Sequence, residues 1–328
     1  MRIVCDRYIP FLPEAVQAEW DDVEIIPLKP EEIDHSVLRE ADVLVIRTRT
    51  QVNEQLLKGT KVRLVCTATI GYDHIDTAWC NEQDIRWVSC PGSNAQAVCD
   101  YVEEVLQEIT NHQLQITNTP VLGVVGVGHV GSLVAQMAEK KGLRVILNDP
   151  PKGIGESLDF IAKNCDIITF HVPLTSNIKH QTLPIKHQTY HLCDGAFLSQ
   201  CKPDALIINA ARGGVVDEQA LVRSGHPYVL DTWENEPDID KQVLQHAVLA
   251  TMHIAGYSWE GKRNASQMCL NAIADTFGLK PIDISSFRYE GLICEVGDSS
   301  PGWISRITEQ LKTHPDRFES LRKSYALR

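Results

Sequence analysis

Short apolar runs rich in β-branched residues recur along the first third of the chain: RIVC (2–5), VEIIPL (23–28), DVLVIR (42–47), VRLVCTAT (62–69) and RWVSC (86–90). Between them lie stretches with helical spacing, such as PEAVQAEW and DTAWCNEQ. Runs of about four to eight residues of this composition read as strands. Their alternation with helices predicts a parallel sheet wrapped on both faces. A longer pattern follows in NAQAVCDYVEEVLQEITNH (94–112), where Val98, Tyr101, Val102, Val105 and Ile109 share one face of a helix. Asn94 is placed to cap that helix, and Pro91 and Gly92 before it read as a hinge.

A second alternating block comprises VLGVV (121–125), RVILN (144–148), DIITFHV (166–172), ALIINA (205–210), YVLDTW (228–233) and VLATM (248–252). Six strands make a complete dinucleotide-binding sheet. After residue 282 the buried-strand texture ends. Residues 283–328 read as a small appendage, too short to bury a core alone, which packs on the main body or on a partner subunit.

Composition narrows the function. A chain of 328 residues exceeds one ordinary core and implies two domains. The formal net charge of −12, with no run of Lys or Arg, argues against nucleic acid or anionic membrane as partner. A small anionic substrate would need a few well-placed arginines. The N-terminus, MRIVCDRYIP, lacks the apolar core of a signal peptide, and no stretch approaches the roughly 18 apolar residues of a membrane span. The ten cysteines form no CxxC pair and several sit in strand-like runs, as expected of buried thiols in a reducing cytoplasm. Zinc-ligand spacings are missing, so no metal is expected.

GVVGVGHVG (123–131) carries Gly126, Gly128 and Gly131 in the spacing GxGxxG, after a strand and at the start of a helix. That arrangement permits a tight turn, close approach to a pyrophosphate, and close helix–strand packing. The helix N-terminus favours the anion. Asp149 ends the next strand about 20 residues on, where a carboxylate accepts from the adenosine ribose. It would repel a 2′-phosphate, so NAD is preferred, while nearby Lys152 leaves NADP open.

Three strand ends of the second block carry complementary groups. Arg212 follows the fourth strand, Asp231, Glu234 and Glu236 the fifth, and His253 the sixth. Alone, His253 would read as a structural residue and the acidic stretch as a solvated turn. Together they suit hydride chemistry on a 2-hydroxy acid. His253 would exchange the hydroxyl proton, a carboxylate would orient its imidazole, and Arg212 would hold the substrate carboxylate.

GVGHVG, Asp149, HVPLT, NAARGGVVD, DTWENEP and HIAGYS together resemble the D-isomer-specific 2-hydroxyacid dehydrogenases over roughly residues 40–280. The resemblance implies an α/β fold of two doubly wound parallel-sheet domains, a flavodoxin-like substrate lobe and a Rossmann NAD lobe, plus a small C-terminal dimerisation element. The substrate lobe would span 1–93, completed by 256–282. The NAD domain would span 94–255 and the dimerisation element 283–328. It makes Arg212, Glu236 and His253 the catalytic set, Glu236 rather than Glu234 being the glutamate before proline. Gly126, Gly128, His129, Val130, Gly131, Asp149, Val172, Ala210, Asp231 and Gly256 would contact the cofactor.

IRTRTQVNEQLL (46–57), TATIGYDHID (67–76), CPGSNAQAV (90–98), NDPP (148–151) and HIAGYSWEGK (253–262) narrow the resemblance to the branch that oxidises 4-phospho-D-erythronate in vitamin B6 synthesis. Thr48, Thr69 and Tyr257 would then line the substrate site and Arg47 would take the phosphate. Strand alternation would put Arg47 and Arg49 on one side, unless the strand has already ended. Lys262 and Arg263 could add positive field, and Ser258 is placed to cap the helix they start. The connection ALVRSGHPYVLD is shorter than in most relatives, which should tighten that loop without touching the catalytic residues. The C-terminal segment resembles only part of the family's longer dimerisation domain, so a homodimer is expected without a defined geometry. Alternatives are a phosphoglycerate- or glyoxylate-type dehydrogenase, and a NAD-sensing corepressor-like protein.

Overall fold

The computed structural model describes residues 1–111, 120–175, 188–287 and 300–327. The chain divides into two compact units, Met1–Asn94 with Ser258–Cys294, and Ala95–Tyr257 with Glu295–Arg328.

In the first unit β1 (Arg2–Asp6), β2 (Glu24–Leu28), β3 (Val43–Ile46), β4 (Leu64–Thr67) and β5 (Arg86–Val88) form a parallel sheet in the order β2-β1-β3-β4-β5. This is the flavodoxin-like order, and each expected strand is present. Alternate residues serve opposite cores. Ile3, Cys5, Val43, Val45, Leu64 and Cys66 pack with the helices Leu12–Glu19 and Trp259–Phe277. Val4, Leu44, Ile46 and Val65 pack on the other face with Leu38, Leu57 and Cys80. The period-two pattern with both faces apolar is what buries a parallel sheet on two sides. Ser258 caps Trp259–Phe277 as expected, accepting from Gly261 N at 3.0 Å.

In the second unit all six expected strands form and run parallel: β6 (Val121–Val125), β7 (Arg144–Asp149), β9 (Ile167–Phe170), β10 (Leu206–Asn209), β11 (Tyr228–Leu230) and β12 (Leu249–Ala250). A further two-residue strand, β8 (Ile154–Gly155), pairs antiparallel with β7, giving the order β12-β11-β10-β9-β6-β7-β8. The order reverses between β6 and β9, which opens the crevice where such sheets bind ligands.

The helix Ala95–Asn111 buries Val98, Tyr101, Val102, Val105 and Ile109, the face its spacing predicts. Asn94 does not cap it through its side-chain oxygen, because Asn94 Oδ1 is buried without a hydrogen-bond partner.

The C-terminal segment packs into the second unit, where Trp303, Ile304, Leu311 and Phe318 join the core. Its helix Trp303–Thr313 starts on the carboxylate of buried Glu108, which accepts from Ile304 N and Ser305 N at 2.9 Å each. Thr308 Oγ1 accepts from Ala250 N at 2.8 Å and donates to Ala250 O at 3.1 Å. The helix thereby covers the otherwise open edge of β12. A second helix, Phe318–Ser324, follows.

Among the described residues, no helix is long and apolar enough to cross a membrane and no cluster of three or more His, Cys, Asp or Glu could hold a metal ion. The nine described cysteines are free and all but Cys201 are buried, while Cys294 lies outside the described residues.

Candidate active site

The cofactor loop forms where β6 gives way to the helix His129–Lys140. Gly126 has φ +92°, and a Cβ there would lie 2.7 Å from His171 O at the end of neighbouring β9 and 2.8 Å from Val172 Cγ1. A side chain would therefore be strained and obstructed, as a turn pressed into the switch point requires. Gly131 is tighter still, since its Cβ would lie 1.9 Å from Gly126 O. Gly128 caps the helix without any side-chain hydrogen bond, and a Cβ there would meet nothing within 4 Å. The free N–H groups of this first turn, with open space before them, fit a pyrophosphate. His129 is exposed and Val130 half-buried in that turn.

Asp149 closes the loop from the other side. Its Oδ2 accepts from Val127 N at 2.9 Å. Lys152, which kept NADP open, donates to Val127 O at 2.7 Å and lies 3.8 Å from Asp149 Oδ2. The carboxylate at the end of β7 and the glycine turn fit the ribose and phosphates of NAD. His171 is half-buried with its ring 3.0 Å from Thr169 Oγ1, and desolvation pushes its pKa down to about 4. It is therefore neutral beside this loop.

At the ends of β10, β11 and β12 the unit brings together Arg212, Asp231, Glu236 and His253. Asn209 shapes the arginine turn, accepting from Ala211 N at 3.1 Å and donating to Arg212 O at 2.9 Å. Arg212 Nη1 donates to Ala211 O at 2.8 Å. Gly213 lets this turn touch the next loop, because a Cβ there would sit 1.9 Å from Trp233 O.

His253 Nδ1 lies 2.8 Å from Glu236 Oε2, and Glu236 Oε1 accepts from Trp233 N at 2.9 Å. Nδ1 therefore carries the proton toward Glu236, and Nε2 presents its lone pair. Burial pushes the His253 pKa down, but the hydrogen bond and charge of Glu236, with the charge of Asp231, outweigh it. Arg212 acts in the opposite sense, and the net result lies above the ordinary histidine value.

His253 has φ +58°, an uncommon conformation for a residue with a Cβ. Asp231 holds it there. Its backbone carbonyl accepts from His253 N at 2.7 Å, and its buried carboxylate accepts from Ile254 N, Ala255 N and Thr251 Oγ1 at 2.7, 3.0 and 2.7 Å. Such backbone costs on the order of 1–3 kcal/mol and persists only where surrounding bonds enforce it. Thr251 also meets Tyr101 Oη at 2.9 Å and gives its carbonyl to Trp233 Nε1 at 2.8 Å. These supports were not read from the sequence, since each joins residues far apart in it. Ala210 directly follows β10 and is buried, while Gly256 and Tyr257 lie in the loop after β12 and are half-buried.

Glu234 has a different partner. It takes His191 Nε2 at 3.0 Å, while its backbone N–H donates to Glu218 Oε1 at 2.6 Å. The assignment of Glu236, not Glu234, to His253 is the geometry observed.

Arg47, expected at a phosphate, and Thr48 and Thr69, expected to line the substrate site, lie in the first unit. β3 ends at Ile46, so Arg47, Thr48 and Arg49 stand in a turn and strand alternation does not order them. Arg47 forms a fork with buried Asp6, Nε to Oδ2 at 2.8 Å and Nη2 to Oδ1 at 3.2 Å, and lies over the Tyr8 ring. Thr48 is exposed. Thr69 follows neighbouring β4, its hydroxyl 2.7 Å from Thr67 Oγ1 and 3.0 Å from Gly71 O. Burial and the Arg47 charge push Lys262 down to about 8, against the opposing charge of Asp6. A second cation thus stands beside Arg47. Arg263 lies over the Phe11 ring.

Comparison with known proteins agrees with this geometry. Residues 96–255 match the D-isomer specific 2-hydroxyacid dehydrogenase, NAD binding domain. The erythronate-4-phosphate dehydrogenase of Bacteroides fragilis is 40% identical, the match covering 100% of this chain and 97% of that protein. The protein of the same name from Porphyromonas gingivalis is 41% identical over 99% of this chain and 92% of its own length. Among solved structures, NAD+-bound 3-phosphoglycerate dehydrogenase of Entamoeba histolytica superposes with a TM-score of 0.69 at 23% identity, covering 85% of this chain and 95% of that one. At that identity the superposition shows the fold alone.

Proposed function

The chain belongs to the D-isomer-specific 2-hydroxyacid dehydrogenases, among their erythronate-4-phosphate dehydrogenases, and from that premise we infer that it oxidises 4-phospho-D-erythronate to (R)-3-hydroxy-2-oxo-4-phosphooxybutanoate. The reaction belongs to pyridoxal 5′-phosphate biosynthesis. Bound NAD supplies the acceptor for the hydride that leaves C2. The observation that carries the reading is the 2.8 Å contact of His253 Nδ1 with Glu236, which turns a basic Nε2 outward beside the charge of Arg212.

The protein's own share of the step is the proton. His253 Nε2 removes it from the C2 hydroxyl as that carbon becomes a carbonyl, and Glu236 stabilises the imidazolium that results. Arg212 fixes the substrate carboxylate through its planar fork. For a phosphate, the first unit offers Arg47 and Lys262, with Thr48 and Thr69 at the ends of adjacent strands. Tyr257 completes the substrate set in this reading. A homodimer in the cytoplasm accompanies it, with the buried thiols suited to a reducing compartment.

The test follows NADH absorbance on mixing purified protein with NAD and 4-phospho-D-erythronate, with a carbonyl trap present. Turnover is expected with this acid and not with 3-phosphoglycerate or D-glycerate. Turnover confined to another acid would keep the chemistry and replace the substrate. Tight NAD binding without turnover on any acid would overturn the enzyme reading in favour of a sensor.

A further inference from the structure

We propose that Arg322, on the C-terminal helix Phe318–Ser324, is a positioning residue of the proton-transfer pair that shares the Glu236 carboxylate with His253 and so limits how firmly that carboxylate holds the imidazolium. Arg322 Nη1 lies 3.6 Å from Glu236 Oε2, the oxygen that faces His253 Nδ1 at 2.8 Å. The guanidinium is aimed by its own helix, with Nη2 2.6 Å from Glu319 Oε2, and Lys323 Nζ lies 3.4 Å from the other oxygen of Glu319. The helix is itself anchored. Phe318 is buried in the second unit's core, and the Tyr325 ring beyond the helix lies 6.3 Å from Trp303 and 6.5 Å from Tyr257.

The electrostatic consequence has a definite sign. The charged groups facing the pair are Arg212 after β10, Asp231 at the end of β11, and Arg322 from the C-terminal helix, which Glu319 partly neutralises. A cation on the carboxylate draws its charge away from His253. With Arg322 removed, the whole charge of Glu236 falls to the imidazolium, and His253 should hold its proton to higher pH. A base needed neutral for oxidation would then be protonated over more of the working range. A segment expected to serve dimerisation thus reaches the reacting end of its own chain.

This inference rests on His253 as the acid–base group, so its test reads the histidine directly, in protein without cofactor or substrate. The His253 imidazole is titrated by NMR in the wild type, Arg322→Gln, Arg322→Leu and Arg322→Lys, its signal assigned by its loss in His253→Ala. Arg322→Gln and Arg322→Leu should raise the His253 pKa by about half a unit to one unit. Arg322→Lys should restore most of the difference. If Arg322→Leu does not fold, Arg322→Gln decides. An unchanged or lowered value in the variants would overturn the proposal whatever the substrate proves to be. Where turnover is measurable, the acid limb of kcat for oxidation should move upward by the same interval, with KM little changed.

Discussion

The second unit contains two histidine–glutamate pairs that look alike. His253 and Glu236 lie 2.8 Å apart, His191 and Glu234 3.0 Å apart. Both histidines have left-handed backbone, φ +58° and +51°, and both glutamates come from the single loop after β11. Their settings differ. The His253 imidazole stands between Glu236 and the charge of Arg212, with Asp231 binding the backbone beneath it. The His191 ring is stacked on Tyr190, centroids 4.0 Å apart, and faces a second carboxylate, Asp217, at 3.8 Å. Its backbone N–H donates to Gly214 O at 2.7 Å, on the turn that carries Arg212. One pair faces the reacting groups. The other fastens the loops that present them. A histidine–carboxylate contact is therefore no mark of chemistry by itself, and the neighbouring arginine and strand end decide.

Alanine at each histidine is the strongest way to break this comparison. His253→Ala should lower kcat by about 10²–10⁴-fold, the usual range for a lost general acid–base group. His191→Ala should cost less than about tenfold in kcat and lower stability by about 1 kcal/mol, the scale of one partly exposed hydrogen-bonded pair. Steady-state kinetics and denaturant melts of the two variants separate the roles. Equal losses of kcat would mean that the pairs are not distinct.

The glutamates sharpen it. The raised pKa of His253 depends on the negative charge of Glu236, so Glu236→Gln should lower that pKa. Neutral imidazole then persists to lower pH, and the acid limb of the oxidation profile should move down by about one unit. The maximal rate should fall by ~10–100-fold as the imidazolium loses its partner. Glu234→Gln should leave the limb in place. Rate profiles from pH 5 to pH 10 check both, and a limb that moves with Glu234 would exchange the assignments.

How far the sequence carries follows from which contacts are local. Strands and the glycine loop were legible because each is a property of a short run. β3 is apolar throughout and β4 up to its last residue, Thr67, while Gly126 and Gly131 are small where backbone after β9 and of the turn itself fills the space. Arg212, His253 and an acidic stretch between them were legible because each follows a strand of a sheet whose ends converge, while the choice of Glu236 over Glu234 within that stretch came from the family resemblance. Asn94 failed as a cap because the helix it precedes begins without using its side-chain oxygen. Glu108 shows a sharper limit. It sits one position from the apolar face of its helix and reads as surface, yet it is buried because Ile304 and Ser305, almost 200 residues on, donate to it. Arg322 and His191 were hidden for the same reason, their partners being fixed only by tertiary packing.

The smallest expected effect concerns Glu218, which supports the His191 pair by accepting from Glu234 N. Burial pushes its carboxyl up to about 8, the hydrogen bond from Glu234 opposes this, and the charges of Glu234, Asp240 and Glu236 add to it. A pKa raised on folding means that the folded protein holds this proton more tightly than the unfolded chain. The contribution is full below the ordinary glutamate range and is lost as pH rises through about 8. Glu218→Gln keeps a neutral acceptor at every pH. Its Tm should match the wild type near pH 5 and exceed it by about 2–4 °C near pH 9, the shift expected of about 1 kcal/mol in a chain of this size. Its oxidation profile should retain the wild-type acid limb, because below about pH 8 Glu218 already carries its proton and the substitution removes no charge. A Tm difference constant with pH would show Glu218 ionised throughout. A displaced acid limb would show that the two pairs share one titration, and the distinction between them would then fail at the carboxylates rather than at the histidines.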